Sequence, residues 1–193
     1  MKIILSSIIM LMVTCAASAA IENITTGPYV ISFNMNTTAN YSIQHVQSSD
    51  TPIASTYPIS IKTNNSTQAL VSIVEYKNAT DSTLAMDKNV VGLSTANIGY
   101  FLNISFVDVI IDNKKGFIVT GVNPKGERMF RAYYWLDSKD CECGPVSVGK
   151  TEIGVMSTYS WNITKNILSS LNVSRSKQSV KPKTMIFGPP KSI

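Results

Sequence analysis

Three β-rich runs separated by two short turns constrain this chain more than any other feature. The runs are Ser105–Ile111, Phe117–Val122 and Met129–Leu136, and the turns span residues 112–116 and 123–126. Parallel neighbours need a crossover of a dozen or more residues, which these turns cannot supply. The three strands are therefore expected to be antiparallel neighbours, and a fourth run, Glu152–Thr158, extends this C-terminal strand meander after a loop.

The N-terminal half adds two predicted strand pairs. Alternating apolar and polar residues predict strands at Tyr29–Met35 and Tyr41–Val46, joined by a turn over residues 36–40. A second pair, Ile59–Lys62 and Ala69–Tyr76, is expected across the turn-rich residues 64–66.

Two segments show helical spacing instead. The first is predicted from about Thr83 to about Ala96, capped by Asp81 or Ser82. Its apolar face is formed by Met86, Val90, Leu93 and Ala96. The second is expected to be capped by Asn162 or Thr164, and its apolar face is formed by Ile163, Ile167, Leu168 and Leu171. The expected class is α+β: a mainly antiparallel sheet with two helices packed on it.

The two ends of the chain differ from the middle. Residues 1–20 have Lys2, a short apolar run and an Ala17-x-Ala19 pattern, which is typical of a cleaved signal peptide. That run is too short to span a membrane, and no later segment reaches transmembrane length, so the mature chain is expected to have no transmembrane span. Residues 21–173 are predicted to form one domain, and residues 174–193 a basic tail that is flexible or loosely docked.

Nine Asn-x-Ser/Thr sequons are present among fifteen asparagines. They lie at Asn23, Asn36, Asn40, Asn64, Asn65, Asn78, Asn103, Asn162 and Asn172. With the signal pattern, they predict an exported N-glycoprotein that is extracellular or at the cell surface. The alternative is a chain that is merely rich in Asn, Ser and Thr. If the sequons are used, most of their side chains must be exposed.

Three segments resemble a group of uncharacterised exported proteins of methanogenic archaea. They are Gly27–Phe33, Val109–Asp112 with Gly116, and Ser157–Trp161 before the last helix. The element order over residues 27–173 is similar to that of the PsbP/Mog1-like fold, whose members are mostly non-catalytic and bind other proteins. The resemblance implies that fold and that general role, and it assigns no site residue.

Cys141 and Cys143 are the cysteines that remain after signal cleavage. They supply half of a tetrahedral zinc site, and their spacing also permits a strained disulfide or two free thiols. The fourth possibility, a redox-active pair, stays open. No metal or other cofactor is predicted from this segment.

One strand carries the most distinctive candidate surface. Arg131, Tyr133 and Trp135 alternate along Met129–Leu136 and share a face that could contact a sugar or a protein partner, unless a helix covers it. His45 is the single histidine and is expected to be an ordinary strand residue. The acidic pairs Asp108/Asp112 and Asp137/Asp140 lie beside turns and are expected to be solvated.

The sequence favours a non-catalytic binding or structural module of the cell envelope. Gly-x-Ser-x-Gly is absent, and no catalytic residue is predicted; the alternative is a small extracellular hydrolase. The six cations after Glu152 are Lys165, Arg175, Lys177, Lys181, Lys183 and Lys191. They indicate envelope proteins or anionic surface polymers as partners, and export argues against nucleic acid.

Overall fold

The computed structural model describes residues 21–37, 39–63, 67–78, 83–97, 102–138 and 149–176. The strands are β1 (Ile21–Thr26), β2 (Tyr29–Asn34), β3 (Tyr41–His45), β4 (Ser49–Asp50), β5 (Ala54–Thr63), β6 (Gln68–Tyr76), β7 (Leu102–Ile111), β8 (Lys114–Val122), β9 (Arg128–Trp135), β10 (Thr151–Ser157) and β11 (Asn172–Arg175). The helices are α1 (Leu84–Asn97) and α2 (Trp161–Ser170).

The strands form two sheets rather than one. The large sheet has the order β3-β5-β6-β10-β9-β8-β7, with β4 paired to β5, and all its pairings are antiparallel. The meander β7 to β10 is confirmed, and so is the mainly antiparallel architecture with two helices. The small sheet has the order β1-β2-β11 and was not expected.

The small sheet corrects two predictions, one about the pairing of β2 and one about the end of the domain. β2 and β3 do not pair across residues 36–40, because β2 pairs with β1 and β11 while β3 pairs with β5. The predicted domain end at residue 173 falls inside β11, which continues through Arg175. β11 pairs with an edge of β2, so the backbone N–H and C=O groups of β11 have hydrogen-bond partners that the segment alone would lack.

The core lies between the inner faces of the two sheets. Alternate residues of β2 are fully buried, and they pack in one cluster with the inward residues of β5, β6 and β10 and with α2. The inward residues of β2 are Tyr29, Ile31 and Phe33. The Tyr29 hydroxyl lies 3.4 Å from the Thr151 hydroxyl, and burial raises the pKa of Tyr29 to about 12.

The turn between β7 and β8 is tighter than expected. Ile111 is opposite Lys114, so the loop is the two residues Asp112 and Asn113, with φ of 51° and 58°. Positive φ at both positions is the geometry that suits the twist of a two-residue hairpin. Gly116, predicted to end this turn, lies within β8, where a Cβ would be 2.3 Å from the Tyr133 carbonyl oxygen.

The side chain of Asp112 joins this hairpin to the small sheet. Its Oδ1 accepts a hydrogen bond from Asn172 Nδ2 at 2.7 Å, and its Oδ2 accepts one from the backbone N–H of Val173 at 3.0 Å. Arg175 makes a second link by pairing with Glu75 on β6 of the large sheet, while its guanidinium lies 5.2 Å from the Tyr29 ring centroid within the small sheet. Both contacts fix β11 against the large sheet.

The bounds of α1 agree with the sequence prediction, whereas α2 begins earlier than its predicted caps imply. Residues 81 and 82 lie outside the described part of the chain, and Thr83 Oγ1 accepts the Met86 N–H at the start of α1. α2 begins after Ser160, so neither Asn162 nor Thr164 is its N-cap; Thr164 is buried and bonds to Ser157. Met86, Val90 and Leu93 are exposed, which contradicts the predicted buried face of α1.

Candidate functional site

Seven of the nine sequon asparagines lie in the described residues, and all seven are exposed. They are Asn23, Asn36, Asn40, Asn78, Asn103, Asn162 and Asn172. Asn64 and Asn65 lie outside the described residues. Two of the seven, Asn23 and Asn172, are both opposite Ser32 on the small sheet. The exposure that glycosylation requires is therefore present, whereas glycosylation itself stays a prediction.

Several other predicted features lie outside the described residues. These are the signal segment 1–20, the pair Cys141 and Cys143, Asp140, and the tail from residue 177. Among the side chains that the structure does describe, no group of three or more His, Cys, Asp or Glu could hold a metal ion.

The remaining polar candidates are separate from one another. His45 is exposed at the end of β3. Asp108 pairs with Lys88 of α1, and Asp137 accepts hydrogen bonds from the backbone N–H groups of Lys150 and Thr151. These carboxylates hold local structure, and nothing brings them together into one site.

Arg131, Tyr133 and Trp135 do share one face of β9, but that face is divided. α1 covers the Trp135 end: Trp135 is 8% exposed, and its Nε1 donates to Asp87 at 3.0 Å. Its ring stacks on Tyr76, with centroids 5.6 Å apart. Trp135 is therefore part of the packing and not of an open binding face, which corrects that part of the prediction.

Arg131 and Tyr133 line a groove beside the covered end. The groove has a volume of about 310 Å³ and runs across β6, β10 and β9, three adjacent strands of the large sheet. Ser72 and Gly154 are paired residues that form its flat middle, and Gly154 is also opposite Tyr133. Because Gly154 has no side chain, the Tyr133 ring is accessible from that side.

The groove contains a half-buried carboxyl group that the sequence analysis did not single out. Glu152 is opposite Trp135 on β10, and its Oε2 accepts a hydrogen bond from the Tyr76 hydroxyl at 3.1 Å. Burial raises the pKa of Glu152 above its usual value; Asp87 acts in the same direction, and Tyr76 and Arg131 oppose it. Burial also raises the pKa of Tyr76, which keeps that hydroxyl a donor.

The groove therefore combines one cation, one carboxyl group and one aromatic ring on a rigid floor. The Arg131 guanidinium carbon lies 5.3 Å from the Tyr133 ring centroid, so the ring and the cation support each other. Such a surface can contact a partner through stacking and charge-assisted hydrogen bonds. Sequence could have indicated Glu152 only through the pairing register of β9 and β10, since a lone acidic residue in a strand carries no signal of its own.

No protein-family model, curated protein or solved structure matches this chain. Within the described residues, neither helix combines the length and the apolar character that crossing a bilayer requires.

Proposed function

We propose that this chain is an exported, N-glycosylated cell-envelope protein that acts as a non-catalytic binding module through the groove around Arg131 and Tyr133. The groove carries the proposal, because it presents a cation and an aromatic ring on internal strands of a sheet. Central strands hold such side chains in place, so little ordering is needed when a partner binds. The signal pattern and the exposed sequons support export of an archaeal-type glycoprotein to the cell surface.

The element order supports the finer fold assignment within the same proposal. A large antiparallel sheet flanked by helices is compatible with a PsbP/Mog1-like arrangement, to which the sequence resemblance pointed. That fold type serves mostly as a protein-binding scaffold, which agrees with a groove that presents a cation beside an aromatic ring.

A small hydrolase is the competing function, and Glu152 is the observation in its favour. A carboxyl group with a raised pKa can act as a general acid. Glycoside hydrolysis, however, uses two carboxyl groups on either side of the bond. Glu152 is the single carboxylate among the described residues that line this groove.

The test is retention on envelopes isolated from the native cell. Arg131→Gln and Tyr133→Ala should each shift the protein from the sedimented envelope fraction into the supernatant. Lys62→Gln is the matched control, because Lys62 is an exposed cation of the same sheet that does not line the groove. Equal sedimentation of all four proteins would show that the binding surface lies elsewhere.

The same preparation tests export and modification. Protein recovered from native envelopes should begin at Ala20 or Ile21, and its intact mass should exceed that of the polypeptide. An intact Met1 with an unmodified mass would contradict this half of the proposal without bearing on the groove.

A further inference from the structure

A second and larger concavity lies at the other end of the meander. It has a volume of about 720 Å³ and forms where the β8–β9 turn faces the junction of β10 and α2. The turn and the start of β9 supply residues 123–125 and 127–130, the junction supplies residues 158–161, and residues 67 and 68 complete the wall. We call this concavity the Trp161 cleft; it shares no lining residue with the Arg131 groove.

The walls of the Trp161 cleft are held by hydrogen bonds. On one side, the Gln68 N–H donates to Thr158 Oγ1 at 3.0 Å, and the Gln68 carbonyl accepts from the Thr158 N–H at 2.9 Å and from Thr158 Oγ1 at 3.3 Å. On the other side, Asn123 Oδ1 accepts the backbone N–H groups of Lys125 and Glu127, both at 2.9 Å. The cleft is therefore a fixed shape rather than a gap between loose loops.

The described residues that line the Trp161 cleft carry a net positive charge, with two cations and one carboxylate. Glu127 is engaged, because its Oε2 accepts a hydrogen bond from Asn123 Nδ2 at 2.7 Å. Lys125 and Arg128 are exposed, and neither forms an ion pair with another residue in the described part of the chain. Two cations thus face solvent at one wall and outnumber the Glu127 carboxylate, which keeps its charge but is oriented by the Asn123 amide.

Trp161 supplies an aromatic surface at the opposite wall. Its side chain is 41% exposed, in contrast to Trp135. The indole packs against the buried ring of Phe130, with centroids 5.2 Å apart and a tilt of 36°. It also borders a smaller apolar hollow formed by Val107, Val109 and Ile118. The ring is therefore supported from behind while part of it stays accessible.

We propose that the Trp161 cleft binds an acidic oligosaccharide. The apolar face of a sugar ring packs on an exposed indole, and its hydroxyl groups bond to polar side chains such as Gln68 and Ser160 at the cleft wall. A uronic-acid carboxylate fits the guanidinium of Arg128, since the planar fork makes two parallel hydrogen bonds. Lys125 adds a second, salt-sensitive attraction. A neutral sugar would leave both cations unused, so the charge selects the acidic class.

The chain offers a direct optical test, because it has two tryptophans and one of them is buried. Tetragalacturonic acid is titrated into the Asn162→Gln protein, which keeps an attached glycan away from the cleft, and indole emission is recorded. Emission should change saturably, and the affinity should fall as salt is added. A neutral tetrasaccharide of glucose should produce no saturable change.

Variants separate binding in the cleft from adventitious attraction to a basic protein. Arg128→Gln should weaken binding about tenfold, the effect of losing one charged hydrogen-bonding partner. Trp161→Ala should abolish binding measured by calorimetry, and its unchanged thermal unfolding would show that the fold is intact. Lys165→Gln is the control, since Lys165 is an exposed cation on the same helix outside the cleft lining. Equal affinity for the neutral sugar, or equal losses in Lys165→Gln and Arg128→Gln, would overturn the proposal.

Discussion

The two helices have opposite relations to the core, and their sequences differ as well: the apolar residues of α2 gather on one side, whereas those of α1 are spread around the helix. α2 buries Ile167 and Leu168 beside the small sheet, as the spacing of its apolar residues predicts. α1 has the same kind of spacing at Met86, Val90 and Leu93, and all three are exposed. α1 is instead held by polar side chains, since Asp87 accepts from Trp135 and Lys88 pairs with Asp108. Apolar spacing thus predicts a helix, but the available surface decides which face docks.

The sharpest test of this difference uses the same substitution in both helices. Leu168 is 5% exposed and Leu93 is 65% exposed. Leu168→Ala should lower the free energy of unfolding by about 2–5 kcal/mol, because it removes buried methyl groups and leaves a cavity. Leu93→Ala should change it by less than about 0.5 kcal/mol, as is usual at the surface. Urea unfolding followed by circular dichroism measures both.

The same two alanine variants can also contradict this difference between the helices. Similar losses for the two alanine variants would mean that Leu93 is covered in solution, and α1 would then need a partner surface. A loss at Leu93 that appears only at high protein concentration would identify self-association as that cover.

A smaller effect is expected from the polar contact that holds α1. Asp87→Ala removes the acceptor of the Trp135 N–H and should cost about 1–3 kcal/mol, the penalty of leaving a buried donor unpaired. Asp108→Ala removes the exposed pair with Lys88 and should cost at most about 1 kcal/mol. In a Trp161→Phe background, emission from Trp135 should shift to longer wavelength in the first variant and not in the second. The reverse order would show that the ion pair, and not the indole contact, positions α1.

The smallest expected effect is a pH dependence of the free energy of unfolding. It is expected from the α1 side of the large sheet and not from the α2 side. Burial raises the pKa of Glu152 in the folded state, so its ionisation opposes folding. The cost is absent below the pKa of the unfolded chain and is complete above the raised folded-state pKa. Lowering the pH through this window should therefore stabilise the wild type relative to neutral pH.

Glu152→Gln should remove this contribution, and its unfolding free energy should depend less on pH over the acidic range. On the α2 side, the hydroxyl groups of Ser157 and Thr164 lie 2.8 Å apart. Because hydroxyl groups do not titrate in the acidic range, this contact should add no pH dependence. Denaturation midpoints measured at a series of pH values compare Glu152→Gln with Ser157→Ala. An unchanged pH profile in the Gln variant would show that Glu152 is solvated.

The sequence predicted the parts of the fold that depend on local pattern. The strands of the meander, the bounds of α1 and the presence of α2 follow from alternation, spacing and short turns. β11 was missed because Asn172–Arg175 has four residues and a partner far away in the chain, so its pairing is set by tertiary structure. The predicted face of α1 was wrong for a different reason: Leu84, Ala85 and Val91 place apolar residues on other sides of the helix, so spacing alone does not single out one face.

In the candidate site, too, the sequence predicts what depends on local pattern and not what depends on tertiary packing. Alternation correctly places Arg131, Tyr133 and Trp135 on one face, but only the packing of α1 shows that Trp135 is unavailable. The groove itself depends on Ser72 and Gly154 from other strands, and their juxtaposition follows from the order β6-β10-β9. The Trp161 cleft combines three distant segments, and an exposed tryptophan cannot be told from a buried one by sequence.

The position of β11 has a consequence for how this domain matures. β2 lies between β1 and β11, so residue 32 pairs with residue 172. Contacts between such distant parts of a chain form late, because a long loop must close before they contribute stability. A nascent chain that lacks β11 leaves an edge of β2 unpaired, together with the side chains of Asp112 and Glu75 that β11 engages. The small sheet can therefore be completed only after the C-terminal part of the domain has been synthesised.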